Sequence, residues 1–310
     1  MASEQPPLKL EYLFPANIFG FDMMEKKWVN LRVDCISPIT WNKTSFETLE
    51  LKFEKKMLIK ALVSNKIASD RATDVVAGKG TGLILLLHGG PGTGKTLTAE
   101  SVAEIAEKPL YRVTCGDIGI DPRQVEKYLE TVFYLGKIWD CVVLLDEADV
   151  FLEQRSLDDL PRNALVSVFL RTLEYYSGIL ILTSNRVGTF DEAFKSRIQL
   201  ALHYKSLDKK QRKQIWTNFI KRLQDMDESM DFDGIMAKIE QLATYEMNGR
   251  QIRNAITTAR QLALYNEEPL NMDHLNHSIA VSGEFDEYIL KLNDDVKDDE
   301  LARERGDRLP

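Results

Sequence analysis

Cysteine is scarce in this chain of 310 residues, with Cys35, Cys115 and Cys141 the three in total. They are widely spaced, odd in number, and at least one lies inside an apolar strand pattern. That spacing excludes a disulfide framework and a cysteine zinc site, and predicts small core residues in a reducing compartment. Histidine is equally thin. None of the four shares a ligand spacing with the cysteines, and His274 and His277, three apart on a helical pattern, have no carboxylate motif beside them. No window reaches the roughly 18 apolar residues of a membrane span. Met1 to Pro15 have neither the cationic start and apolar core of a secretory signal nor the arginine-rich amphipathy of an organelle presequence. A soluble protein of the cytoplasm or nucleus is the expectation. Missing too is a concentrated block of lysine and arginine, and the net charge is −8. The basic cluster Lys209 to Lys213 shares a predicted helix with Ile215, Phe219 and Ile220, so it reads as a solvated helix face and not as a nucleic-acid track.

What remains is the composition of an ordinary globular protein, 44% hydrophobic and 28% charged, long enough for one large domain or two modest ones. Residues 17–22 and 27–33 alternate apolar and polar around the turn at Glu25-Lys26, which predicts a β-ribbon in a short β-rich segment over residues 1–50. Helical periodicity follows from Leu51 to Ile67, then a loop at Gly78 to Gly82. Five short apolar runs come next, at Leu83 to Leu87, Leu110 to Val113, Cys141 to Leu145, Ile179 to Leu182 and Leu200 to Tyr204, with helical stretches between them. Such alternation predicts an α/β domain over 51–206, a parallel sheet covered on both faces. After Leu207 the pattern is helical only, which predicts an all-helical domain over 207–292. The tail, 293–310, is dense in charge and poor in apolar residues, and is expected to fray or form an exposed last helix.

Between the first strand and the helical run Leu97 to Ile105 stands Gly89-Gly90-Pro91-Gly92-Thr93-Gly94-Lys95-Thr96. A nucleotide's phosphate chain is too highly charged to bury without donors on every side. Glycines let the backbone wrap close and present its N–H groups, and the positive end of the next helix adds attraction. Lys95 can reach the outer phosphates and the Thr96 hydroxyl can ligate magnesium. Strand before and helix after give the pattern the context it needs, so Gly89 through Thr96, with Leu97 opening the helix, form the expected ATP-binding set.

About fifty residues on, the run Val142-Val143-Leu144-Leu145 ends in Asp146-Glu147. At the carboxyl end of a buried strand beside the phosphate loop, Asp146 would face Mg2+ and Glu147 would polarise the attacking water. The strand Ile179 to Leu182 ends in Thr183-Ser184-Asn185-Arg186, where Asn185 is suited to hold that water without competing as a charge; a simple turn or cap is the plain alternative. Arg197, just before the last strand, is an always-charged planar donor of the kind that stabilises a transferring phosphoryl group, or else a surface ion pair.

In that order and spacing, GGPGTGKT, CVVLLDEAD, LTSN and FDEAFKSRI followed by a helical lid resemble an AAA+ ATPase of the AAA type over about residues 50 to 285. Within that family the stretches LLLDEADVFLEQRS, RNALVSVFLRTLEYYSGIL and NGRQIRNAI look most like a group of fungal AAA-domain proteins of poorly defined function. The resemblance implies a P-loop NTPase sheet of five strands in the order 5-1-4-3-2, a C-terminal helical lid, and assembly into homo-oligomeric rings, usually hexamers. It makes Arg197 the finger that reaches a neighbour's ATP and Asn185 the sensor of the γ-phosphate. Arg250 looks like the second, lid-borne sensor, with Arg253 as its alternative and a solvated helix arginine as the plain reading of either. Two departures stand out. Many relatives carry a pair of arginines where this chain has Ser196-Arg197, and the segment Cys115 to Pro122 lacks the aromatic residue of substrate-threading pores, leaving Ile118 and Ile120 in its place. The leading expectation is an ATPase that remodels a protein partner. The alternative is a nucleotide-dependent assembly module with slow turnover, and a small-molecule kinase ranks behind both for want of an acceptor site.

Overall fold

A computed structural model describes residues 15–68, 82–114, 121–152, 154–155, 159–186 and 190–292. The expected loop residues 78–81, the pore-like segment with Ile118 and Ile120, and the tail 293–310 lie outside the described residues. The chain divides into two compact units, with the boundary between Asn42 and Lys43.

In the first unit the alternating pattern forms an antiparallel hairpin, β1 (Asn17–Asp22) and β2 (Lys27–Arg32). The Asp22 carboxylate accepts from the N–H groups of Met24 and Glu25, and Lys26 takes a left-handed φ of 53°, which together close the turn. Phe21 and Trp28 pair edge to face at 5.7 Å. Cys35, in the 3-10 turn that follows, is exposed, so the expectation of a core residue fails for it. Cys141 is buried, as its apolar run predicts.

The second unit opens with α1 (Thr44–Glu47) and α2 (Phe53–Ala68). Then come β3 (Leu83–Gly89), α3 (Lys95–Ala106), β4 (Leu110–Thr114), α4 (Pro122–Ile138), β5 (Val142–Asp146), α5 (Asp149–Leu152), α6 (Leu160–Glu174), β6 (Ile179–Ser184) and β7 (Leu200–Tyr204). The five strands β3 to β7 form one parallel sheet in the order β4-β5-β6-β3-β7. Counted from β3 as the first, this is the expected 5-1-4-3-2. The central strands are buried on both faces, which is why they read as continuous apolar runs. Alternate residues Leu83, Leu85, Leu87, Leu144 and Ile181 pack with Ile59 and Val63 of α2 and Ala99 and Val102 of α3. On α4, Gly136 lies so close to the sheet that a Cβ there would meet the Val143 side chain at 2.6 Å.

Phe46 and Leu49 fall in the segment read from sequence as a β-rich N-terminal piece, yet both are buried in this sheet core. A helix of four residues is too short to show periodicity, so the sequence masks their membership. Residues 47–50 also run against the lid as a strap. Asn218 Nδ2 donates to the Thr48 carbonyl at 3.3 Å and Gln211 Nε2 to the Glu50 carbonyl at 3.4 Å.

Beyond Leu207 the chain is helical as expected: α7 (Lys209–Asp225), α8 (Phe232–Ala237), α9 (Ile239–Leu242), α10 (Gly249–Tyr265) and α11 (Met272–Leu292). One isolated parallel bridge, Met230 to Leu270, is added. Capping boxes led by Asp208 and Asn248 start α7 and α10 and satisfy the first-turn N–H groups. Trp216, Ile220, Ile252, Ile256 and Leu275 form the lid's own core. Among the described residues no helix is long and apolar enough to cross a membrane.

Candidate functional site

Strand β3 delivers the chain to the phosphate-loop sequence at the carboxyl edge of the sheet, where two of the glycines are required by space. A Cβ on Gly89, at φ 145°, would lie 2.1 Å from the Tyr204 carbonyl oxygen, and one on Gly92, at φ 70°, would lie 2.4 Å from Asn248 Oδ1. Gly94 stands at the N-cap of α3 and makes no side-chain cap hydrogen bond, and the positive end of the helix dipole faces the loop. Lys95, 7% exposed, donates through Nζ to the Gly89 and Gly90 carbonyls at 2.9 and 2.7 Å, and Thr93 Oγ1 donates to Gly90 at 2.8 Å. These bonds shape the loop and hold the ammonium at its centre. Leu97, in the first turn of α3, is exposed.

The loop meets β5 through Thr96, whose Oγ1 lies 3.2 and 3.4 Å from the two carboxylate oxygens of buried Asp146. A hydroxyl and a carboxylate beside a phosphate-type helix terminus are hard oxygen donors, a set that fits Mg2+ and not a soft metal. Asp146 also takes a hydrogen bond from Thr183 Oγ1 and an ion pair with Arg112 Nη2 at 2.5 Å. Glu147 is exposed with a left-handed φ of 58°, and its N–H donates to Thr183 Oγ1 at 2.9 Å. The Ala148 N–H donates to the Thr183 carbonyl at 2.8 Å.

At the end of β6, the Asp149 carboxylate accepts from the Ser184 hydroxyl and from the N–H groups of Asn185 and Arg186, the last two at 3.2 and 3.4 Å. Asn185 is thereby fixed by its backbone and half-buried at the same sheet edge as Glu147. Arg197 has different company. Its Nη1 donates to the Ala193 carbonyl at 2.8 Å, its Nη2 is 3.7 Å from Glu174, and its side chain is 26% exposed. None of these partners belongs to the phosphate loop or to the end of β5, so within one chain the ion-pair alternative describes Arg197.

The lid closes on the loop through α10. The Gly249 N–H donates to the Gly92 carbonyl at 3.0 Å, and Asn248, which caps the helix, rests against Gly92. Arg250 and Arg253 are both exposed on this helix. Arg253 is the one whose charge is felt at Glu100 on α3. Burial raises the Glu100 carboxyl above the ordinary carboxylate range, Arg112 opposes that rise, Asp146 adds to it, and Arg253 opposes it.

Sequence reasoning missed Arg112, Glu100 and Asp149, and gave Thr183 no role of its own. Arg112 had a signal, since it interrupts the apolar run Leu110 to Val113 at a position next to a buried strand. Glu100 and Asp149 had none that periodicity could reveal, because both lie on helix patterns where a carboxylate is commonplace.

Residues 85–206 match the family described as the ATPase family associated with various cellular activities (AAA), and residues 207–296 match the fungal AAA+ ATPase lid domain. Among curated proteins, the chain is 27% identical over 216 residues to one from Methanothermobacter thermautotrophicus named as a 26S proteasome regulatory subunit homolog, covering 64% of this chain and 56% of that protein. It is 32% identical over 132 residues to human ATPase family AAA domain-containing protein 3B, covering 39% of this chain and 19% of the relative. With the ATP-dependent zinc metalloprotease FtsH of Ureaplasma parvum it shares 26% identity over 209 residues, 63% of this chain and 28% of that one. The chain thus spans about half the length of the first of these relatives and less of the other two.

Proposed function

Because the chain belongs to the AAA family of ATPases, we propose that it binds ATP with Mg2+, hydrolyses it, and uses the cycle to remodel a protein partner as a homo-oligomeric, hexameric ring. The observation that carries the reading is the meeting of Thr96 and Asp146 across the phosphate loop, with Glu147 exposed beside them. In this reading the loop from Gly89 to Gly94 wraps the phosphates with N–H groups, Lys95 neutralises the outer phosphates, and Leu97 borders the nucleotide at the first turn of α3. Thr96 and Asp146 hold the metal, which when bound offsets charge on the phosphate oxygens. Glu147 takes the proton of the attacking water, and Asn185 orients that water against the γ-phosphate. The lid, 207–292, moves against the sheet domain, 51–206, about the contact of α10 with Gly92, with Arg250 or Arg253 sensing the nucleotide. Arg197 serves the site of the neighbouring subunit. The free thiols Cys35 and Cys141 fit a reducing compartment, the cytoplasm or nucleus.

One observation favours a second reading, a nucleotide-dependent assembly module with slow turnover. Arg197 is held by Ala193 and Glu174 of its own chain, so its service to a neighbour requires those contacts to be released.

Steady-state ATP hydrolysis across a dilution series, with light scattering on the same samples, separates the two. The remodelling ATPase predicts specific activity that rises with concentration as the ring forms, and a Glu147→Gln variant that still binds nucleotide while turnover falls about 100-fold or more. Specific activity that is constant down to the lowest concentration removes Arg197 from a role in trans. Binding without turnover at any concentration leaves the assembly module.

A further inference from the structure

Thr183 joins the carboxyl ends of β5 and β6, and it is 1% exposed. A threonine hydroxyl has one hydrogen and two lone pairs. Here the hydrogen goes to Asp146 Oδ1, and a lone pair accepts the Glu147 N–H at 2.9 Å. The Thr183 carbonyl takes the next N–H, that of Ala148, at 2.8 Å. Between those two bonds the Glu147 backbone is kept at φ 58°, a conformation that non-glycine residues avoid and that persists only where its surroundings enforce it. Burial leaves no water to replace the hydroxyl.

We propose that Thr183 is a positioning residue for hydrolysis, its single hydroxyl setting the metal-side carboxylate of Asp146 and the base Glu147 in register with each other. The inference rests on the reading of Asp146 and Glu147 given above. Thr183 also stands two residues before Asn185, which follows the last residue of β6 directly. Displacement of the strand end therefore moves the water-orienting residue and the base together. Asp149, holding Ser184 and the Asn185 and Arg186 N–H groups, is the second tie between the same two strand ends. Valine at 183 would fill the same space, leave Asp146 one donor short, and free the Glu147 peptide to relax from its left-handed conformation. Serine would keep both bonds.

The test compares Thr183→Val and Thr183→Ser in the wild-type and Glu147→Gln backgrounds, measuring kcat and KM for ATP and the Kd of a fluorescent ADP. Valine is expected to lower kcat about 30- to 100-fold, since small misplacements of a reacting group cost about that much. KM and Kd should stay within about threefold of wild type, serine should restore turnover to a similar margin, and valine should cost clearly less in the Glu147→Gln background, keeping only the part that acts through Asp146. Turnover of the valine variant within about threefold of wild type overturns the proposal. So does a serine variant as impaired as valine, or a valine effect that persists in full beside Glu147→Gln. Should valine prevent folding, Thr183→Ala takes its place with the same expectations. If Glu147→Gln itself hydrolyses ATP at the wild-type rate, the functional reading is what fails. Amide exchange at Glu147 then decides the positioning claim, being expected to accelerate at least about tenfold with valine or alanine and to stay slow with serine. Unchanged exchange in all variants refutes it.

Discussion

Replacing Gly92 by alanine should destabilise the nucleotide-free protein, because a methyl group there meets the lid and not open space. The Cβ would lie 2.4 Å from Asn248 Oδ1 and 2.5 Å from its Cγ, so the side chain must retreat by about 1 Å to reach ordinary contact at 3.4 Å. That retreat disturbs the cap of α10, worth about 1 kcal/mol. It also stretches the bond from the Gly249 N–H to the Gly92 carbonyl, about 1 kcal/mol more. Holding alanine at φ 70° adds about 1–2 kcal/mol. The total is about 3–4 kcal/mol, a large fraction of a typical domain's stability. Urea unfolding without nucleotide is the assay, followed by tryptophan emission, to which Trp216 in the lid core contributes. Asn248→Gly, which costs a few tenths of a kcal/mol as a cap, removes the obstructing side chain and should recover about 1–2 kcal/mol when combined with Gly92→Ala. A Gly92→Ala protein within about 0.5 kcal/mol of wild type, or a double variant no better than the sum of its parts, would refute this account of how the lid rests on the loop.

Two further outcomes are expected. His88 stacks on His203 at 5.1 Å; burial first, then His203, Lys55 and Lys95, push it down to about 4 from an ordinary 6.5. The unfolded chain takes up a proton on falling through about pH 6.5 that the folded chain refuses until about pH 4, so this contribution to stability is full above that window and is lost on acidification through it. Allowing for partial solvent exposure, the loss is about 1–2 kcal/mol. His88→Phe should flatten the dependence of the urea midpoint on pH between 7 and 4.5, and parallel curves for the two proteins would contradict the assignment. Alkylation of the native protein at pH 8 followed by peptide mapping should label exposed Cys35 and spare Cys141, whose thiol burial pushes up to about 11. Equal labelling rates at these two positions would count against the burial of the β5 edge.

The parts of the molecule that could be read from the chain are those whose signal is local. Five apolar runs gave the strands because each is buried within a few residues of sequence, and Gly89 to Thr96 announced its turn because its glycines are consecutive with a strand and a helix. The lid helices were visible in their spacing of Ile and Leu. What stayed hidden depends on neighbours distant in sequence. Nothing around Gly92 reveals that Asn248 occupies the space beside it, nor does the run ending at Leu145 reveal Arg112 against Asp146. Phe46 and Leu49 joined the sheet core from a stretch too short to carry a period, and Arg197 found Glu174, the last residue of a helix that sits more than twenty residues earlier in the chain.

The strap at residues 47–50 bears on how the lid is seated against the sheet. Phe46, just before it, and its own Leu49 are anchored in the sheet core, while its carbonyls at Thr48 and Glu50 are gripped by Asn218 and Gln211 of α7. A turn of the lid must therefore either break two modest hydrogen bonds or drag the strap, and dragging it works against a buried aromatic anchor. In the proposed cycle the strap would act as a detent, giving the lid a preferred angle and a threshold for leaving it.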